Sequence, residues 1–121
     1  MKQYLLFFVF VYITGCFDLE DPTCKAARIE SKPALNGIVK KKYIEEHNHD
    51  YRVLEISQDG EKRYKLYFGE FMNPNFYHYV EVGDAIKKSA NSLTYQVVKQ
   101  NGRKKDFFLN FNCPDTLSLP R

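Results

Sequence analysis

The chain has 121 residues and a formal net charge of +3, with 44% hydrophobic and 27% charged residues. That length holds one domain and no second core, the hydrophobic share excludes wholesale disorder, and the weak charge excludes a dedicated nucleic-acid binder. Nine Tyr and ten Phe, with no Trp, favour strands over helices.

The first fifteen residues differ from the rest. Lys2 precedes an unbroken apolar and aromatic run from Tyr4 to Ile13, which ends in Ile13-Thr14-Gly15-Cys16. The run is far shorter than the about 20 residues a bilayer crossing needs, and a short apolar core behind one positive charge is the pattern of a secretory leader. On its last four residues this segment resembles the leaders of bacterial lipoproteins. Ile13 fits the aliphatic slot of their lipobox, Gly15 the small slot before the cut, and Cys16 the slot that carries the lipid. The resemblance covers residues 1–16. It implies cleavage between Gly15 and Cys16, fatty acylation (palmitate and its kin) at Cys16, and export to the cell envelope, with the outer membrane as the expected address. Each acyl methylene buried contributes about 0.8 kcal/mol, so two chains give stable anchoring.

With Cys16 given to lipid, Cys24 and Cys113 remain, an even pair for an oxidising compartment. A bridge between them closes a loop of about 90 residues, worth about 4 kcal/mol in the chain-entropy account. Residues 16–33 read as anchor and tether, polar, with prolines at 22 and 33. Their acidic start, Asp18, Glu20 and Asp21, resembles the surface-export signals of some Bacteroidota lipoproteins.

Residues 34–121 predict a small β domain. Gly37 to Glu46 is strand-like, although Lys40-Lys41-Lys42 breaks the alternation; a bulge or an edge position would bring all three lysines to water. Tyr51 to Ser57 follows, with Leu54 and Ile56 on one face and Tyr51 and Val53 on the other. Asp59-Gly60 is a tight-turn pair before a strand in which Tyr64, Leu66 and Phe68 alternate with Lys65 and Tyr67. Asn73-Pro74-Asn75 predicts a turn, and Phe76, His78, Val80 and Val82 the inward face of a further strand. Gly83-Asp84 marks another turn, and Asp84 to Asn91 a single helical turn capped by Asp84. Leu93, Tyr95 and Val97 alternate again. Asn101-Gly102 predicts a type I′ hairpin leading to Phe107, Leu109 and Phe111.

Five to six short antiparallel strands with at most one short helical turn predict an all-β barrel or sandwich. Residues 80–88 look like the Gly-Asp-x-Ile-x-Lys corner of many OB-like and SH3-like barrels. The run from Gly37 to Lys99 also resembles small bacterial lipoprotein domains.

Three groups of residues are candidate sites. His47-x-His49 on an extended backbone would put both rings on one face, with Asp50 or His78 to complete a metal shell, although a polar turn suits the same residues. Basic groups at 40–42, 62–65, 87–88 and 103–105 include two that flank hairpin turns and so are expected to gather at one barrel end. Beside them, Tyr64, Tyr67, Tyr77 and Tyr79 are the expected partner-binding residues. No Gly-x-Ser-x-Gly and no glycine-rich phosphate loop occurs. The sequence therefore predicts a non-catalytic, lipid-anchored binding or structural module. It would meet an envelope protein or glycan, with no cofactor, no metal and no nucleic acid. Two readings of other classes stand beside it: a small metal-dependent or hydrolytic periplasmic enzyme around His47, His49 and His78, and an inhibitor or immunity-type lipoprotein.

Overall fold

A computed structural model describes residues 20–59, 62–69 and 73–121. The leader, Gly15, Cys16 and the tether up to residue 19 lie outside the described residues, as does Gly60 of the first predicted turn. Six antiparallel strands form one open sheet, in the order β3-β2-β1-β4-β5-β6. They are β1 (Leu35–Glu45), β2 (Tyr51–Gln58), β3 (Lys62–Phe68), β4 (Ala85–Lys88), β5 (Thr94–Val98) and β6 (Lys104–Phe108). The mainly-β architecture is as the alternation predicts.

β1 is the pivot, because it pairs with β2 along its second half and with β4 along its first. Its register slips at Lys40: Val39 faces Ile56, and Lys41 already faces Glu55. This is a bulge at the predicted place, but its consequence differs from the expectation. One extra residue inverts the alternation that follows. Lys41 and Tyr43 therefore turn to the outer face of the sheet. Lys42, opposite Leu54, turns inward instead of reaching water freely.

Two helices pack on the sheet among the described residues, more helix than the sequence predicts. The first, α1 (Pro22–Ser31), lies where a tether was expected. The Asp21 side chain caps it by accepting the Thr23 N–H at 2.8 Å, and Pro22 occupies the first turn. Hydrogen bonds from the Thr23 hydroxyl and N–H hold the Asp21 carboxyl below the usual carboxylate range. Cys24 and Ala27 are buried in the common core, so from Pro22 onward the segment belongs to the fold. The second, α2 (Pro74–Tyr79), replaces the strand predicted at 76–82. Asn73 adopts φ 48°, a left-handed conformation that Asn tolerates, and Pro74 begins the helix. Phe76 and Val80, four apart, meet the core, while His78 and Val82 of the predicted inward face are exposed.

Phe76 shows how the sheet curls. Its ring lies 5.9 Å from Phe68 on edge strand β3, 5.9 Å from Tyr95 on β5, and 5.3 Å from Phe107 on edge strand β6. α2 thus fills the space between the two sheet edges.

The Gly83-Asp84 turn forms, but β4 follows it instead of a helical turn. The Gly83 N–H donates to the Val39 carbonyl and the Val39 N–H to the Asp84 carbonyl, both at 2.9 Å, which docks the corner on β1 beside the bulge. Gly83 has φ 97°, and a Cβ there would meet the Gln100 side chain. The last hairpin also forms at Asn101-Gly102, with a different turn. Only Gly102 has positive φ, at 88°, and the Lys99 N–H donates to the Arg103 carbonyl at 2.8 Å. That is a three-residue loop with glycine as the left-handed bulge, not a type I′ pair.

Cys24 and Cys113 lie at disulfide distance, with Cα atoms 4.5 Å apart and a sequence separation of 89. The Thr23 hydroxyl oxygen lies 3.2 Å from the Asn112 carbonyl beside them. Among the described residues, no helix is long and apolar enough to cross a membrane.

Candidate functional site

The four expected partner-binding tyrosines do not share a face. Tyr64 points to the core side of β3, half-buried, and its hydroxyl donates to the Glu30 carboxylate of α1. Burial, and then that hydrogen bond, push the phenol far above its usual range. Tyr77 is buried beneath Lys42, whose ammonium lies 4.5 Å from its ring, and beside Arg52. Tyr79 lies under Lys99 and Lys105, at 4.7 and 5.1 Å. Tyr67 alone of the four stands on the outer face of the sheet, 40% exposed. Strand alternation separates Tyr64 from Tyr67, and α2 turns Tyr77 and Tyr79 toward the cations at the curled end of the sheet.

The outer face of β1, β2 and β3 carries an aromatic set in which the sequence singled out only Tyr67. Across three strands the register aligns Tyr43, Val53 and Tyr67 in one row. Val53 is fully buried between its two aromatic neighbours, although it lies outside the main core. Tyr51 packs edge-on against Tyr67 at 6.5 Å, and His49 edge-on against Tyr51 at 6.0 Å. The next row aligns Lys41, Glu55 and Lys65. Glu55, its side chain 8% exposed, sits between the two ammonium groups at 3.8 and 3.6 Å. Its Oε2 has no hydrogen-bond partner among the described residues. Tyr43 was missed because only the bulge phases it outward. Tyr51 was already legible on the Val53 face.

The predicted basic cluster at one end does not assemble. The β2–β3 turn leaves the sheet at the end where β1 begins, and the β5–β6 turn leaves it in the opposite direction. Several lysines are instead structural. Lys88 is buried, and its ammonium donates to the carbonyls of Ser31 at 2.8 Å, Ser89 at 3.1 Å, and Pro33. Burial pulls its pKa down. Lys42 donates to the Val80 carbonyl at 2.9 Å, and burial lowers its pKa as well. Lys99 donates to the Asp84 carboxylate at 2.6 Å and the Tyr79 carbonyl at 2.7 Å. Burial works against its charge, but the Asp84 hydrogen bond and charge, with help from Glu81, outweigh it and raise the pKa.

His47 and His49 lie in the exposed turn between β1 and β2. His49 and Asp50 have φ 54° and 52°, so the backbone there is coiled, and the extended His-x-His arrangement does not form. His78 is exposed on α2. Among the described residues, no three His, Cys, Asp or Glu side chains come together to hold a metal ion.

The grooves over the described residues open to solvent. One is lined by Asn36, Lys87, Gln96 and Asp106 on the outer face, another by residues 44–48. No protein-family model matches the chain, and neither a curated protein nor a solved structure does.

Proposed function

We propose that this chain is an exported, lipid-anchored envelope module that binds a partner protein through the outer face of β1, β2 and β3. The observation that carries the reading is the row Tyr43–Val53–Tyr67 with Tyr51 against it, aromatic rings at the surface on a rigid sheet. Tyrosine is enriched in protein interfaces because it brings large apolar area and a hydroxyl at low entropic cost. A sheet face of this kind suits a protein better than a small glycan, which is held in a concave site with convergent polar groups. Lys41, Glu55 and Lys65 beside the rings supply charge to set the register of a partner.

The export reading rests on the lipobox resemblance at residues 13–16 and is supported by the Cys24–Cys113 pair, which suits an oxidising compartment. Anchoring at Cys16 would confine the module to the membrane surface and raise its effective concentration toward a membrane-bound partner.

The test is affinity capture from detergent-solubilised envelopes, followed by titration of the captured protein against variants. Tyr67→Ala and Tyr51→Ala are each expected to weaken binding by about 30-fold, the scale of an aromatic hot spot. Tyr79→Ala, on the other side of the sheet, is expected to leave binding unchanged. Equal binding by all three variants would falsify the assignment of this face. Intact mass of the membrane-extracted protein checks the anchor separately, since an unacylated Cys16 or a retained leader would overturn it.

A further inference from the structure

We infer that Leu117 is a membrane contact, the side chain through which the folded domain rests on the bilayer that holds its lipid. The inference depends on the anchor reading and adds to it the orientation of the domain. Leu117 is 91% exposed, far more than the other large apolar side chains at the described surface, such as Ile29 and Val82 at 54% and 53%. A single exposed leucine needs no explanation in itself. Its position supplies one.

The chain from Cys16 to the helix cap at Asp21 spans five residues, which reach at most about 17 Å when fully extended. The beginning of α1 is therefore held close to any lipid on Cys16. Cys24, in the first turn of α1, is at disulfide distance from Cys113, and the Thr23 hydroxyl also reaches Asn112. Leu117 follows Cys113 by four residues, in the 3-10 turn Thr116–Ser118.

The turn is a firm support. The Ser118 hydroxyl donates to the Asp115 carbonyl at 2.9 Å, and the Leu119 N–H to the Thr116 carbonyl. Leu119 is buried in the core, and the Pro120 carbonyl accepts the Leu93 N–H at 3.0 Å. Leu117 is thus presented outward between two fixed points, four residues from the cysteine that meets the first turn of α1. A bilayer is the occupant that the short tether places there. Val82 lies beyond the opposite end of β5, next to the β5–β6 turn.

The absence of tryptophan from the chain makes the test direct. Leu117→Trp and Val82→Trp each introduce a single indole at an exposed position. The acylated mature proteins are purified from membranes and reconstituted into phosphatidylcholine–phosphatidylglycerol vesicles, with and without brominated acyl chains. Shallow insertion at the headgroup–acyl boundary predicts a blue-shifted emission from the Leu117→Trp protein, which loses about half its intensity to the bromines. Emission from the Val82→Trp protein is expected to be unaffected. If both proteins float with the vesicles and the indole at position 117 is quenched no more than the one at position 82, the contact is overturned and the anchor stands. If the protein does not float and carries no acyl mass, the anchor itself is overturned, and the contact with it.

Discussion

The two ends of the sheet are each tied down by a lysine, in opposite ways. Where α1 packs, Lys88 is buried among the carbonyls of Ser31, Pro33 and Ser89, and no carboxylate among the described residues accepts from it. At the corner before β4, Lys99 shares its protons between the Tyr79 carbonyl and the Asp84 carboxylate. Backbone dipoles satisfy the hydrogen bonds of Lys88 but do not neutralise its charge, so burial wins and its pKa falls. The anion at the corner reverses that balance, and the Lys99 pKa rises. The lesson is that a cation drawn out of water can hold two elements together at an electrostatic cost or with an electrostatic gain, and whether a carboxylate accepts its hydrogen bond decides which.

The largest way to break the comparison acts at the α1 end. Cys24→Ser removes the cross-link to Cys113 and is expected to cost about 4–5 kcal/mol in the chain-entropy account, read by urea unfolding with and without reductant. The variant should lose all sensitivity to the reductant; a stability equal to that of the oxidised parent would count against a bridge that constrains the unfolded chain. At the corner, Asp84→Ala leaves Lys99 without its anion. The expected loss is about 3 kcal/mol, and a smaller one is expected for Glu55→Gln on the outer face, where the Lys41 and Lys65 ammonium groups stand at 3.8 and 3.6 Å and keep contact with water. Similar losses for the two would erase the distinction between a pair in hydrogen-bond contact and one held at longer range.

The smallest effect is also the most specific. The Lys88 pKa is lower in the folded state than in the unfolded chain, so between those two values the unfolded chain binds more protons. Stability should therefore rise with pH through that window, below the ordinary lysine range. Lys88→Met is expected to flatten this rise in denaturation midpoints followed from pH 7 to about pH 10. The slope that remains belongs to groups such as Lys42, which is shifted the same way. Lys99 contributes with the opposite sign, because its raised pKa adds stability that disappears only as pH climbs through the folded value.

Much of the fold was legible because its signals are local. Leu66 and Phe68 alternate with Lys65 and Tyr67 as a half-buried strand must, and the irregular run Lys40–Lys42 sits on a real bulge. The errors have a common cause in short segments that satisfy two patterns at once. Phe76 and Val80 are spaced for either a strand or a helix, and Pro74 after a left-handed Asn73 settles the choice. Pro22 and Pro33 read as tether punctuation and Asp21 as part of its acidic start, but the prolines bracket a helix that Asp21 caps. The candidate face was half legible. Tyr51 and Val53 alternate together, whereas Tyr43 joins them only through the register shift at Lys40.

By itself the sequence determined the strand-rich class and the hairpin at 101–102, and it offered Cys24 and Cys113 as a pair once Cys16 was given to lipid. Alternation and turn chemistry depend on near neighbours alone. Only the tertiary structure decided which lysines lose water and which tyrosines keep it. Both depend on the phase of β1 after its bulge and on carbonyls and carboxylates that long-range packing brings within about 3 Å of a side chain.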